Sequence, residues 1–187
     1  MLAVLIAAYH YGPGQRELQL DVTDGHIASA EQAAASGFWV EAEEYYDAAL
    51  SALPDGNQAV DRRLRIERAK VQMMCKKLPT AHGELKSLVT ELVADPDADP
   101  KLVDDACSTL ANAQYYMTWL MRLEGQPKEK WEPEIEAARQ SYRRLAETAA
   151  ARSDEKAVEK NQQDLESAIR LARMELKDLQ GLPLPSQ

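Results

Sequence analysis

The sequence predicts an all-α protein, a stack of antiparallel helical hairpins closed by a C-terminal capping helix. Three observations carry this expectation. Only 8 of 187 residues are Gly, and Ala, Leu, Glu, Lys, Arg and Gln are abundant, a helix-former's composition. No stretch alternates apolar and polar residues for long enough to make a half-buried strand. Helix start and stop signals punctuate the chain, and the segments between them carry apolar residues at helical spacing.

The punctuation defines seven segments. The first is expected from about Thr23 as N-cap, with Asp24 in its first turn, to Ser36, where Gly37 breaks it. The second runs from Phe38 to Leu53 and stops at Pro54-Asp55-Gly56, with a stripe of Ala42, Tyr46, Ala49 and Leu53. Asn57 caps a third that extends to about Lys77. Pro79-Thr80 opens a fourth, striped by Ala81, Leu85, Leu88 and Leu92, which ends at Ala94 before the Asp95–Pro100 loop. Asp99 as N-cap with Pro100 at the first helical position opens a long fifth helix to about Glu124. Gly125-Gln126-Pro127 turns the chain into a sixth helix, with Pro133 in its first turn, that runs to about Arg152. Ser153 is expected to cap a seventh, which lasts to Gln180. Connections this short lay consecutive helices antiparallel, and stripes rich in alanine let them approach closely.

The second segment carries a family resemblance. Gly37-Phe38-Trp39-Val40-Glu41-Ala42, then Tyr46, Ala49 and Pro54, resembles the second half of a tetratricopeptide repeat (TPR). That half-repeat has a small residue at the hairpin turn, Ala where the helices cross, an aromatic one turn on, another Ala and a terminal Pro. The helix before it departs from the pattern, with His26, Ser29 and Ala33 where the family prefers Trp, Leu and Tyr. Leu110-Ala111 with Tyr115-Tyr116 resembles a repeat's first helix, and Ala138, Tyr142 and Leu145 its second. Turn-to-turn spacing is about 40 residues, against about 34 in a standard repeat. The resemblance implies a right-handed TPR-like α-solenoid of three lengthened hairpins over residues 21–152, one good repeat and two divergent ones. Residues 153–180 then form the closing helix such a stack needs, because a terminal repeat otherwise exposes its apolar face. The alternative for this helix is a dimerising coiled coil, since its stripe of Val158, Leu165, Ile169, Ala172, Leu176 and Leu179 keeps near-heptad spacing, interrupted by Asn161. Residues 181–187 are a tail.

Residues 1–20 are expected to be an apolar, irregular segment. Met1 to Ala8 is apolar throughout and is followed by Tyr9-His10-Tyr11 and Gly12-Pro13-Gly14. A membrane span takes about 20 apolar residues, and a signal peptide needs a positive n-region and a longer h-region. The run meets neither requirement, so a cytoplasmic protein is expected. The alternative is a membrane-tethered or exported protein whose anchor begins upstream of Met1.

A formal charge of −9 and a pI of 4.9 repel phosphate backbones and anionic membranes, which disfavours nucleic acid as a partner. Cys75 and Cys107 lie far apart without CxxC spacing and are expected to be buried free thiols. The acidic loop Asp95-Pro96-Asp97-Ala98-Asp99-Pro100 begins like a calcium loop, but Pro100 and Ala106 stand where a Gly and a bidentate Glu are required. His10, His26 and His82 show no ligand spacing, and no nucleophile elbow or phosphate-binding glycine loop is present. Neighbouring carboxylates such as Glu43-Glu44 and Asp104-Asp105 point in different directions on a helix and make no acid–base pair by themselves. No catalytic, cofactor or metal residues are therefore assigned, and no cofactor is expected.

Two features are candidates for binding another protein or peptide. The run Tyr115-Tyr116-Met117-Thr118-Trp119-Leu120-Met121-Arg122 is apolar nearly all round. Such a helix either buries two faces or buries one and presents the other to a ligand. The resemblance places this segment on the concave groove, which makes Tyr115, Tyr116, Trp119 and Arg122 groove candidates; the alternative is that they are core. Arg62 and Arg65 belong to a basic stretch that either clamps a partner's carboxylates or is a solvated face. The TPR subtype that clamps acidic C-termini has Lys and Asn where Ile27 and Glu31 stand here, so that subtype is disfavoured. The expected function is a non-catalytic scaffold or adaptor that binds a peptide or helix in the concave groove. The alternatives are a small acidic chaperone or assembly factor, or the soluble part of a membrane-anchored complex.

Overall fold

The computed structural model describes residues 13–180, and over them the chain forms eight helices and no strand. In chain order they are α1 (Pro13–Ala35), α2 (Trp39–Ala52), α3 (Gln58–Met74), α4 (Leu78–Ala94), α5 (Pro100–Leu123), α6 (Lys128–Ala151), α7 (Glu155–Arg173) and α8 (Leu176–Gln180). The expectations for Met1 to Ala8 and for the tail 181–187 lie outside the described residues. No helix among the described residues is long and apolar enough to cross a membrane. Within each compact unit of the chain the helices pack on their neighbours in sequence, an all-α stacking. The chain divides into two compact units, Met1–Cys75 and Lys76–Gln187. This boundary falls inside the stretch that the sequence placed in a second hairpin.

In the first unit α1 packs on α2 and α2 on α3. Ala30, Ala42 and Ala49 are fully buried here, and small side chains let the helix axes come close. Tyr46, Leu64 and Val71 complete the core. Burial pushes the Tyr46 hydroxyl up to about 12, with Glu67 and Glu31 adding to the shift and Arg63 opposing it. The turn after α1 works because Gly37 takes the left-handed conformation, φ 79°. There the Gly37 N–H donates to Ala34 O at 3.0 Å and the Phe38 N–H to Ala33 O at 2.9 Å, which satisfies two end carbonyls. α1 starts at Pro13 rather than near Thr23. Thr23 is buried, and its hydroxyl donates to Gln19 O at 2.8 Å, so it serves inside a helix instead of capping one. α3 ends at Met74, short of the expected Lys77, because Lys76 turns left-handed at φ 62°.

In the second unit α4 packs on α5, α5 on α6 and α6 on α7, and α8 returns to α5. Asp99 caps α5 as expected, its carboxylate accepting the Lys101 N–H at 3.0 Å. α6 begins at Lys128, before the expected start, so Pro133 sits within the helix instead of its first turn. Having no N–H, Pro133 cannot donate to the carbonyl four residues back. The expected seventh helix is two. Met174 adopts an extended backbone, φ −65° and ψ 143°, and separates α7 from α8. The core of this unit joins Ala111 and Trp119 of α5, Ile135, Ala138 and Tyr142 of α6, Ala168 and Leu171 of α7, and Leu179 of α8. Ala168 and Leu171 of α7 are buried in this core, whereas Val158, Leu165, Ile169 and Ala172 of the expected stripe are half-buried and Leu176 is exposed.

Candidate functional site

In the second unit side chains of α5, α6 and α7 line a groove of about 240 Å³. Helical spacing explains how it is lined. Lys101, Asp104, Asp105 and Ser108 fall on one face of α5, and Ala157, Lys160 and Asn161 on the facing side of α7. Leu145, Ala149 and Arg152 of α6 lie between them. The polar lining is partly engaged. Arg152 forms an ion pair with Asp104, Asp154 accepts the Ala157 N–H at 3.1 Å as the α7 N-cap, and Asn161 donates to Ala157 O at 2.8 Å.

One turn further along the same helices, beyond the lining of the groove, aromatic and amide side chains follow. Asn112 follows Ser108 on α5, Asp164 follows Lys160 on α7, and Tyr142 precedes Leu145 on α6. The Tyr142 hydroxyl donates to Asn112 Oδ1 at 2.7 Å and is buried. Tyr115 and Tyr116 meet edge to face, with ring centroids 5.4 Å apart at 79°. Asp164 is the odd member of this group. Its Oδ2 is sealed from solvent and accepts no hydrogen bond among the described residues. Burial raises the Asp164 carboxyl above the ordinary aspartate range, and Lys160 opposes the rise. Burial first, and then the Asp164 charge, push the Tyr116 hydroxyl up. For Tyr142 burial again leads, with Asp164 next. The carboxyl and the tyrosine hydroxyls therefore sense each other.

The four candidates of the α5 run do not share an environment. Tyr115 and Tyr116 are half-buried, whereas Trp119 and Arg122 are buried. Trp119 is a core residue, tilted against Tyr115 at 6.3 Å between ring centroids, with its indole N–H unpartnered. Arg122 donates from both terminal nitrogens to the carbonyls of Leu171 and Met174, at the end of α7. Its guanidinium also lies over the Trp131 ring, 4.8 Å from the centroid. Trp119 and Arg122 are thus interior structure, a correction to their placement on a groove. Arg62 and Arg65 belong to α3 of the first unit, where Arg62 is buried and Arg65 pairs with Asp61 at 3.5 Å.

Sequence reading missed Asn112, Lys160, Asn161 and Asp164. The available signal was the inner face of α7, which reads Ala157, Asn161, Asp164, Ala168, Leu171 at three- and four-residue steps. Two polar residues in the middle of a buried stripe mark a face that opens along part of its length.

Both cysteines are free thiols, Cys107 buried and Cys75 partly so. Burial pushes the Cys107 thiol up, and the Arg144 guanidinium, 3.3 Å from its sulfur, opposes this. Among the described residues no group of three or more His, Cys, Asp and Glu side chains is placed to hold a metal ion.

No protein-family model matches the chain, and a search of the curated proteins finds none similar to it.

Proposed function

We propose that the chain is a non-catalytic interaction module of TPR-like build that binds a peptide or helix of another protein in the groove between α5 and α7. The observation that supports this is the lining. It combines side chains of both charges (Lys101, Asp104, Asp105, Arg152, Lys160) with the apolar Leu145, Ala149 and Ala157 and the polar Ser108 and Asn161. Such a mixture suits a polypeptide, whose own side chains alternate in character along a line. It does not suit acid–base catalysis, because Asp104 is engaged by Arg152 and Asp154 by the start of α7. The partner is a protein and not a nucleic acid, in keeping with the net charge of −9.

The test is to fill the groove. A partner retained from native lysate on the immobilised chain is purified, and its affinity is then measured against Ser108→Trp and Ala157→Trp. Both substitutions put an indole into the cleft from opposite walls. Binding should weaken by about tenfold or more, a loss of hot-spot size. Unchanged affinity in variants with unaltered helical circular dichroism removes the groove from the reading.

A further inference from the structure

The charge of the chain is not spread evenly. Between Glu17 and Asp61 the sequence has ten carboxylates and no lysine or arginine, enough to account for the whole net charge of −9. This stretch is most of α1, all of α2 and the start of α3. Within it α2 also exposes apolar side chains. The buried stripe of α2 includes Ala42, Tyr46 and Ala49, and a second ridge runs Phe38, Glu41, Tyr45, Ala48, Ala52 at three- and four-residue steps. On that ridge Phe38 is 59% and Tyr45 41% exposed, and Ala48 and Ala52 are half-buried. The helix carries four carboxylates and no lysine or arginine. Glu43 is buried and Asp47 pairs with Arg68 at 2.8 Å. Glu41 and Glu44 are exposed, with Glu41 between the two rings on the ridge.

We propose that this face of α2 docks a basic amphipathic helix of another protein, whose apolar side seats on Phe38 and Tyr45 while its lysines or arginines meet Glu41 and Glu44. The face belongs to the first unit, so the inference does not rest on the groove. Single apolar side chains on a surface are ordinary, but an aromatic ridge on a helix left uncovered on that side marks a contact surface. Charge complementarity selects the occupant. An acidic stretch without a lysine or arginine of its own draws a basic segment from a distance and offers it carboxylates at close range. The same charges repel nucleic acid and anionic membranes. The ridge selects the shape. Its three- and four-residue steps match the apolar stripe of a facing helix, so the side chains of the two interdigitate. Ala48 and Ala52 are small, which lets that helix come close at this end of the ridge.

The experiment uses the full chain and a labelled amphipathic peptide of leucine and lysine, about 18 residues long with leucines at helical spacing, at about 0.15 M salt. Two control peptides share its length. One has glutamate in place of lysine, and the other has the same composition in scrambled order. The leucine–lysine helix should bind saturably and the glutamate peptide should not bind. The scrambled peptide should bind about tenfold more weakly or worse. Tyr45→Ser and Phe38→Ser should each weaken binding by about tenfold, the loss of a hot-spot aromatic. Glu41→Gln with Glu44→Gln should also weaken it by about tenfold. Glu124→Gln with Glu147→Gln, exposed acids of the second unit, should change it by less than about twofold. Thermal melts accompany each variant, and Phe38→Ser, in the turn before α2, carries the decision if Tyr45→Ser melts early. Equal losses in the two glutamate pairs, equal affinity for the scrambled peptide, or full affinity in both serine variants would overturn the proposal. So would loss of binding in Ser108→Trp, which would place the peptide in the groove. A parent chain that sediments as a dimer and becomes a monomer on Tyr45→Ser would give the face to a second copy, with the same consequence.

Discussion

Arg122 and one carboxylate oxygen of the partly buried Asp164 are withdrawn from water within the same unit and meet opposite fates. Arg122 is 8% exposed, yet every charge it brings inward is answered by the end carbonyls of α7 and the face of Trp131. Both carbonyls lie at the end of α7, where Leu171 O has from the helix terminus itself only a long contact with the Met174 N–H, 3.4 Å. Arg122→Gln should therefore destabilise the protein by about 2–4 kcal/mol in denaturant unfolding, since charge-assisted hydrogen bonds are lost and carbonyls are left unmade. Asp164 has no such answer. Its carboxyl is raised in the folded state, so the fold binds that proton more readily than the unfolded chain does. Its penalty is absent at acid pH, grows as pH rises from the ordinary aspartate range to the raised folded value, and is complete above it. Asp164→Asn should raise the melting temperature at pH 7, and the gain should vanish on acidification; a gain independent of pH would refute the charge argument. The sequence grouped Tyr115, Tyr116, Trp119 and Arg122 because the run is apolar nearly all round. Periodicity separates them. Tyr115, Trp119 and Arg122 follow one stripe at four- and three-residue steps, whereas Tyr116 is set off from it by a single residue. Which stripe faces inward depends on what α7 and α8 cover, and a helix without a polar face holds no record of that.

Helix endings show where local chemistry speaks plainly and where it misleads. After α1, α5 and α6 the chain turns through one motif, in which two successive N–H groups return to carbonyls of the last turn. Gly37 and Gly125 take the left-handed position at φ 79° and 71°, and both breaks were evident from the glycines. After α6 the same position is Ser153 at φ 57°. Ser153 reads as an N-cap because serine favours that role, but its N–H donates to Ala150 O at 3.0 Å and that of Asp154 to Ala149 O at 3.0 Å, so it ends α6. Asp154 is the residue that starts α7, through its contact with the Ala157 N–H. Two adjacent residues that both favour caps left the choice to the geometry of the turn. Ser153→Gly should stabilise the protein by about 0.5–1 kcal/mol, because glycine reaches φ > 0 without a Cβ penalty. Lys76→Gly, at φ 62°, is the companion test, and loss of stability in both variants would contradict the turn assignment. The break between α7 and α8 left no such mark in the sequence. At that break the Arg122 guanidinium, from across the core, gathers the carbonyls of Leu171 and Met174.

At the scale of the whole molecule, stacking within each unit makes a helix depend on its neighbours. The all-α class and most helix positions followed from periodicity and punctuation, because these are properties of neighbouring residues. The division after Cys75 did not, because it reflects how side chains far apart in sequence share two cores. The core of the first unit is built from α1, α2 and α3, whereas that of the second needs its last two helices. Ending the chain at Arg152 removes Ala168, Leu171 and Leu179 from contact with Trp119, Ile135 and Tyr142, and deprives Arg122 of both carbonyl acceptors. Large apolar losses of this kind cost about 2–5 kcal/mol per leucine, and a buried cation without acceptors adds a comparable penalty. Together they reach the total stability of a small domain, about 5–15 kcal/mol. The truncated chain should therefore lose more helical circular dichroism than the deleted residues account for, and its remaining signal should come from α1 to α3. Leu179→Ala in the full chain is the graded form, expected to lower stability by about 2–4 kcal/mol without unfolding it. A truncated protein whose helicity falls only in proportion to its length, with an unchanged melt, would mean that α5 and α6 hold each other unaided and that α7 is an appendage.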